Sequence, residues 1–243
     1  MNKISVAMIV KNESKIIENC LQSILKIWYI KDVFIMDTGS TDNTVELIKE
    51  IFKKHNWECD ENLVKGLYIR RWKRDDNFAQ SRNEVLKKIE DINGHDQRVL
   101  SIDADEVLES LRWIWTWRLD YMYETAFWVI HNGSWEQTTV IRLFTAKSRW
   151  EWRIHETIPL NKSVSDSQNP YFVIKYWRSP THDDDPEFDE RILKKQYDEE
   201  LSSYSITSRT AFYYGRELFY NQKYDEAIVV LKSWIPNDTW ISQ

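Results

Sequence analysis

Glycine and proline are scarce in this 243-residue chain, at five each, and there are only two cysteines. No glycine- and lysine-rich phosphate loop follows the first apolar run, where Lys11-Asn12-Glu13 stands instead. That removes the usual mark of a nucleotidyltransferase. Cys20 and Cys59 form neither a zinc-ligand spacing nor a disulfide framework, so a reducing, cytoplasmic setting fits. Basic residues are not in excess. The net charge is −6, which gives no overall attraction for nucleic acid. No run approaches the ~20 apolar residues of a membrane span, so no transmembrane segment is expected. Residues 1–10 read as a strand, without the long apolar core and small-residue cleavage site of a signal peptide.

Aromatic residues, by contrast, are abundant: 13 Trp and 12 Tyr, with many of the tryptophans between 113 and 177. Aromatic faces fill cores, and they also stack on sugar C–H surfaces and on bases, so this density in a polar segment marks a candidate ligand cleft. At 42% hydrophobic and 30% charged, the chain can build one sizeable core and a smaller appendage.

The apolar pattern alternates between strand and helix. Residues 4–10 have the near-continuous apolar character of a buried parallel strand. Ile16, Ile17, Cys20, Leu21, Ile24 and Leu25 recur at helical spacing, which would bury the Cys20 thiol. Residues 32–37 form a second strand. A loop over 38–44 follows, in which Thr41 or Asp42 can cap a helix carrying Val45, Leu47, Ile48, Ile51 and Phe52. Residues 67–69 read as a short strand, 78–89 as a helix and 99–102 as a strand. This order predicts an α/β fold, a mostly parallel sheet flanked by helices. Ligands of such sheets bind beyond the carboxyl ends of the strands. The polar clusters 11–13, 37–40 and 103–106 all fall there.

The last cluster, Asp103-Ala104-Asp105-Glu106, places two carboxylates one residue apart after an apolar run. On a strand end they would share a face. So held, they can grip one hard divalent cation through oxygen, and the cation can hold a diphosphate. Beyond Glu106, residues 123–130, 138–144 and 171–177 read as strands of mixed polarity. Past Phe188 the pattern is helical, in segments ending near 203, 221 and 234. A boundary near Pro186 divides the chain into residues 1–186 and a helical tail, 187–243.

The first ~110 residues resemble family 2 glycosyltransferases of the GT-A fold. The resemblance rests on Ala7-Met8-Ile9-Val10-Lys11-Asn12-Glu13, Met36-Asp37-Thr38-Gly39-Ser40-Thr41-Asp42-Asn43-Thr44, Asn77-Phe78-Ala79-Gln80-Ser81-Arg82-Asn83 and Asp103-Ala104-Asp105-Glu106, in that order and spacing. Arg142-Leu143-Phe144 followed by Trp150-Glu151-Trp152-Arg153-Ile154-His155-Glu156 is similar to a later motif of one subgroup. Residues 210–217 and 224–228 resemble one tetratricopeptide-type hairpin, an extension found in that subgroup and a candidate protein contact.

The resemblance implies metal-dependent, inverting transfer of a sugar from a nucleotide-sugar, a UDP-sugar above all, to a hydroxyl or thiol. It implies that Val10, Lys11, Asn12 and Glu13 hold base and ribose. Asp37 would accept hydrogen bonds from the base, Gly39 and Ser40 would let the backbone approach, and Arg82 would lie near base or diphosphate. Asp103, with Ala104 beside it, would bind ribose, or the metal through water. Asp105 would bind Mn2+ or Mg2+ directly, with His182 as a late metal ligand. Glu156 would be the general base, with Asp183 to Asp185 next in line, and His155 would position donor or acceptor. A nucleotidyltransferase and a non-catalytic sugar-binding module are the alternative classes. Glycan, lipid, peptide and modified phage DNA base remain open as acceptors. The basic stretch 65–74, with Arg70, Arg71, Lys73 and Arg74, is either a solvated loop edge or a surface for an anionic acceptor.

Overall fold

In the computed structural model the described residues are 3–27, 30–57, 67–71, 77–110, 125–131, 137–159, 172–176 and 187–234. The chain divides into two compact units. One comprises Met1–Asp75, Ala79–Glu151 and Thr157–His182, and the other Asp76–Phe78, Trp152–Glu156 and Asp183–Gln243. His182, Asp183 to Asp185, Cys59, Lys73, Arg74 and most of the tryptophan-rich stretch lie outside the described residues.

The first unit is built on β1 (Ile4–Val10), α1 (Ile17–Leu25), β2 (Ile30–Asp37), α2 (Thr44–Lys54), β3 (Leu67–Arg71), α3 (Phe78–Asn93, apart from Phe78), β4 (Arg98–Ser101), β5 (Glu106–Ser110), β6 (Thr125–His131), β7 (Gln137–Thr145) and β8 (Phe172–Tyr176). The strands form one sheet in the order β3-β2-β1-β4-β7-β6-β8-β5. β3, β2, β1 and β4 are parallel, β7 runs antiparallel to β4, and the far edge is mixed. This is the mixed α/β architecture expected from the alternating pattern.

β1 and β2 are apolar on both faces because both faces are covered. Val6, Met8 and Val10, with Val33 and Ile35, share a core with Ile17, Cys20, Leu21 and Ile24 of α1 and Ile48, Ile51 and Phe52 of α2. Ala7, Phe34 and Met36 pack instead with Val85, Leu86 and Ile89 of α3. Strand alternation thus sends successive side chains to opposite layers. Each fully buried Leu, Ile or Phe contributes ~1.5–3 kcal/mol, so the paired layers are what hold β1 and β2 at the sheet's centre. Cys20 is buried as expected, its Sγ 3.3 Å from the Asp103 carbonyl. Burial first, then the Glu106, Asp103, Asp105 and Glu13 carboxylates, pushes its thiol well above the usual range.

Two features differ from the expectation. β5 is an additional edge strand, antiparallel to β8. The Asp-x-Asp pair is not on a strand: β4 stops at Ser101, and residues 104–105 form a turn closed by Glu106 N–H to the Asp103 carbonyl at 3.1 Å. The shared-face argument for Asp103 and Asp105 therefore does not apply.

The second unit contains α4 (Phe188–Ser202), α5 (Ser208–Tyr220) and α6 (Tyr224–Trp234). Leu193, Ala211, Tyr214, Leu218, Ala227 and Val230 form its core, with Ile154 packed against it. Thr207 caps α5 through its side chain, accepting from Thr210 N–H at 3.2 Å. Gly215 lets α6 approach closely, since a Cβ there would lie 2.5 Å from Leu231 Cγ.

Candidate active site

β2, β1 and β4 are parallel neighbours, so their carboxyl ends open at one edge of the sheet. The loops after β1 and β2 are bonded to each other there. Thr38 donates to the Val10 carbonyl from its N–H (2.8 Å) and its hydroxyl (3.0 Å). Asn12 N–H donates to Ser40 Oγ at 2.9 Å, and Asn12 Oδ1 accepts from Thr41 N–H at 2.7 Å. Glu13 N–H donates to Thr44 Oγ1 at 2.8 Å. Gly39 has φ 106°, a backbone state that glycine adopts without strain. Asp37 is fully buried at the end of β2, and its carboxylate accepts from Ser40 N–H at 3.0 Å. Val10, Glu13 and Ser40 are buried, while Lys11 and Asn12 are partly exposed.

Neither Thr41 nor Asp42 is the N-cap of α2, although Asp42 bonds the helix's first N–H from one residue outside it. The N-cap of α2 is Asn43, whose side chain makes no cap bond. Asp42 accepts from Thr44 N–H at 3.1 Å and from Ser14 N–H at 3.2 Å. Burial acts to raise its pKa, but these hydrogen bonds outweigh it and hold the carboxyl below the usual range.

The turn after β4 carries a charge cluster that sequence spacing did not reveal. Arg82 on α3 is buried. Its Nη2 donates to Asp103 Oδ1 at 2.6 Å, and its guanidinium lies 5.2 Å from the Trp150 ring. Arg142, buried on β7, donates to Asp103 Oδ2 at 3.3 Å and to Glu106 Oε1. Glu106 Oε2 accepts from Asp103 N–H at 2.9 Å. Burial alone would raise Asp103, but the two guanidinium groups outweigh it and bring its pKa to about 2. Burial raises Glu106 to about 7; Arg142 opposes that rise and the Asp103 charge adds to it. Asp103 thus stays ionised with both oxygens engaged. Ala104 and Asp105 are buried in the same turn. A charged residue between apolar neighbours, Ile141-Arg142-Leu143, was the available signal for an inward-facing partner.

His155 and Glu156 belong to the second unit. His155 has φ 51°, stacks on Tyr213 with ring centroids 4.4 Å apart, and its Nε2 accepts from Arg216 at 3.0 Å. Burial first, then Arg216 and Arg209, brings its pKa down to about 4, so the ring is neutral near pH 7. Glu156 is partly buried. Ligand-capable atoms of His155, Asp189 and Glu217 lie within 4.8 Å of one another. Arg216 already pairs with Glu217 there at 2.9 Å, and its charge opposes a cation.

Parallel strands whose carboxyl ends carry interlocked loops give a mixed α/β protein with a candidate site at one sheet edge. Residues 5–113 match the profile of glycosyl transferase family 2. The chain is similar to the SPbeta prophage-derived glycosyltransferase SunS of Bacillus subtilis, at 24% identity over 96% of this chain and 53% of that protein. It is similar to the poly-beta-1,6-N-acetyl-D-glucosamine synthase of Staphylococcus epidermidis, at 31% identity over 44% of this chain and 22% of that protein. Among solved structures it resembles S. aureus TarS in complex with UDP-GlcNAc, with 14% identity, a TM-score of 0.47, and coverage of 89% of this chain and 71% of that one. The chain spans about half the length of the SunS proteins it matches. No helix among the described residues is long and apolar enough to cross a membrane.

Proposed function

We propose that this protein is an inverting glycosyltransferase that moves a sugar from a UDP-sugar to an acceptor hydroxyl or thiol. One observation carries the reading: within the stretch that matches the family, three parallel strand ends bring buried Asp37, two interlocked loops and the Asp103–Asp105 turn to one sheet edge. Asp37 accepts from the uracil edge. Val10 to Glu13, with Gly39 and Ser40, line base and ribose, and Asp103 and Ala104 lie at the ribose. Glu156 removes the acceptor's proton as it attacks the anomeric carbon, and His155 holds the loop that carries it. The α5–α6 hairpin is read as a tetratricopeptide-like unit available for protein contact.

The donor set fits a hard cation in part. Asp105 offers a buried carboxylate. Asp103 fits only through water, because Arg82 and Arg142 engage both its oxygens. Among the described residues no group of three His, Cys, Asp or Glu atoms forms around that pair. Asp105, with Asp103 through water, would hold Mn2+ or Mg2+, which would supply charge neutralisation for a departing nucleoside diphosphate. The arginine pair keeps Asp103 fixed and ionised.

Asp105→Ala is expected to abolish transfer from UDP-sugars with the fold intact. Glu156→Gln is expected to keep donor binding and lose turnover. A thermal-shift screen against UDP, GDP, TDP and their sugars, with and without Mn2+, tests the donor. Ligand at ~100 times its Kd stabilises by ~2.7 kcal/mol, an easily read rise in Tm. No shift with any nucleotide would overturn the reading.

A further inference from the structure

We infer that the helical unit is the mount for the Glu156 loop, with Arg209 and Arg216 as its positioning residues. This inference rests on reading Glu156 as the base. Glu151 and Thr157 pair with each other as an isolated bridge in the first unit, while the five residues between them, Trp152–Glu156, belong to the helical unit. Nearly every one of those five is held by it.

Trp152 lies under the Arg209 guanidinium, 4.6 Å from ring centroid to Cζ. Arg153 N–H donates to Gln196 Oε1 at 2.8 Å, and its guanidinium makes a two-pronged pair with Glu199 at 2.7 and 3.2 Å. Ile154 packs on the helical core. The His155 carbonyl accepts from Arg209, its ring accepts from Arg216, and that ring stacks on Tyr213. Both arginines lie over Tyr213, each with Cζ 4.7 Å from its centroid, so α5 presents two cations and a ring to the loop.

The loop needs such a hold. Trp152 and His155 both sit at positive φ, 67° and 51°, a region uncommon for any residue but glycine and rarest for a bulky one such as tryptophan. Two strained residues in a span of four persist only where surrounding contacts over-determine them. The contacts that do so come from α4 and α5. The helices therefore act on the reaction through the one loop whose carboxylate must meet the acceptor at hydrogen-bond distance, where small displacements cost rate.

The test compares Arg209→Met, Arg216→Met and the conservative Arg209→Lys with the wild-type chain. Hydrogen exchange of the peptide spanning 150–158 is one readout, and hydrolysis of a UDP-sugar panel with the Kd for UDP is the other. We expect faster exchange in that peptide for both Met variants, unchanged exchange in β1 and β2, kcat lowered at least tenfold, and UDP affinity within twofold. Arg209→Lys, which keeps a donor for the His155 carbonyl, should recover a substantial part of kcat. Unchanged exchange in both Met variants overturns the mount, whatever the role of Glu156. Loosened exchange with unchanged kcat, where Glu156→Gln is inactive, overturns the positioning role. Full turnover by Glu156→Gln overturns the assignment of the base and leaves the exchange result to decide the mount.

Discussion

Acidification should weaken the helical unit through one residue, His155. Its Nε2 accepts from Arg216, which requires a neutral ring, and protonation would add a positive charge beside Arg216 and Arg209. Burial and those two arginines bring its pKa from 6.5 to about 4. A base with a depressed folded-state pKa binds fewer protons folded than unfolded between the two values. Its contribution is therefore complete above the unfolded value of ~6.5 and is lost as pH falls toward about 4. The full interval converts to roughly 3 kcal/mol at ~1.36 kcal/mol per pH unit. The ring is only partly buried, so solvent screening reduces this to ~1–2 kcal/mol. The assay is urea unfolding of the wild-type chain and of His155→Asn at several pH values from about 7.5 to 4.5. Asparagine tolerates the left-handed backbone at this position and does not titrate. Groups common to both chains cancel in the difference. The stability advantage of wild type over variant should shrink by ~1–2 kcal/mol across the interval. Parallel pH profiles would refute the reasoning.

Arg142→Met should destabilise the fold by ~3–5 kcal/mol, because it removes one cation from buried Glu106 and Asp103, and a loss under ~1 kcal/mol in urea unfolding would mean the cluster is not structural. Gly215→Ala places a Cβ against Leu231, an overpacking cost of ~1–3 kcal/mol set against ~1 kcal/mol of gained helix propensity. A net stabilisation would show that α5 and α6 are not held at the close approach the glycine permits.

The sheet was legible because its signal is local. Residues 4–10 and 32–37 are apolar at successive positions, a pattern that only a strand covered on both faces explains, and the helical spacing after each names its cover. The interlocked loops were half legible. Thr38, Ser40, Thr41, Asp42 and Thr44 announce a capped turn, but their bonding to Asn12, Glu13 and Ser14 joins positions about thirty apart, which no window of sequence contains. β5 was missed because Glu106-Val107-Leu108 reads equally well as the tail of an acidic turn.

The Asp-x-Asp pair shows how far a motif carries without its partners. Spacing alone made Asp103 and Asp105 equivalent, two carboxylates on one face. The fold makes them different, because two arginines, 21 and 39 residues away from Asp103 in sequence, engage its oxygens. A carboxylate between two guanidinium groups stays ionised throughout the working pH range and is bound on both edges, so it stiffens the turn more than it binds a metal directly. Its neighbour two residues on is buried in the turn that this clamp stabilises. The division of labour follows from contacts: Arg82 and Arg142 hold both oxygens of Asp103, and the proposed direct metal contact falls to Asp105. Substitution of Asp103 should therefore be read first in stability, and substitution of Asp105 first in metal dependence, although the two stand one residue apart in the same motif.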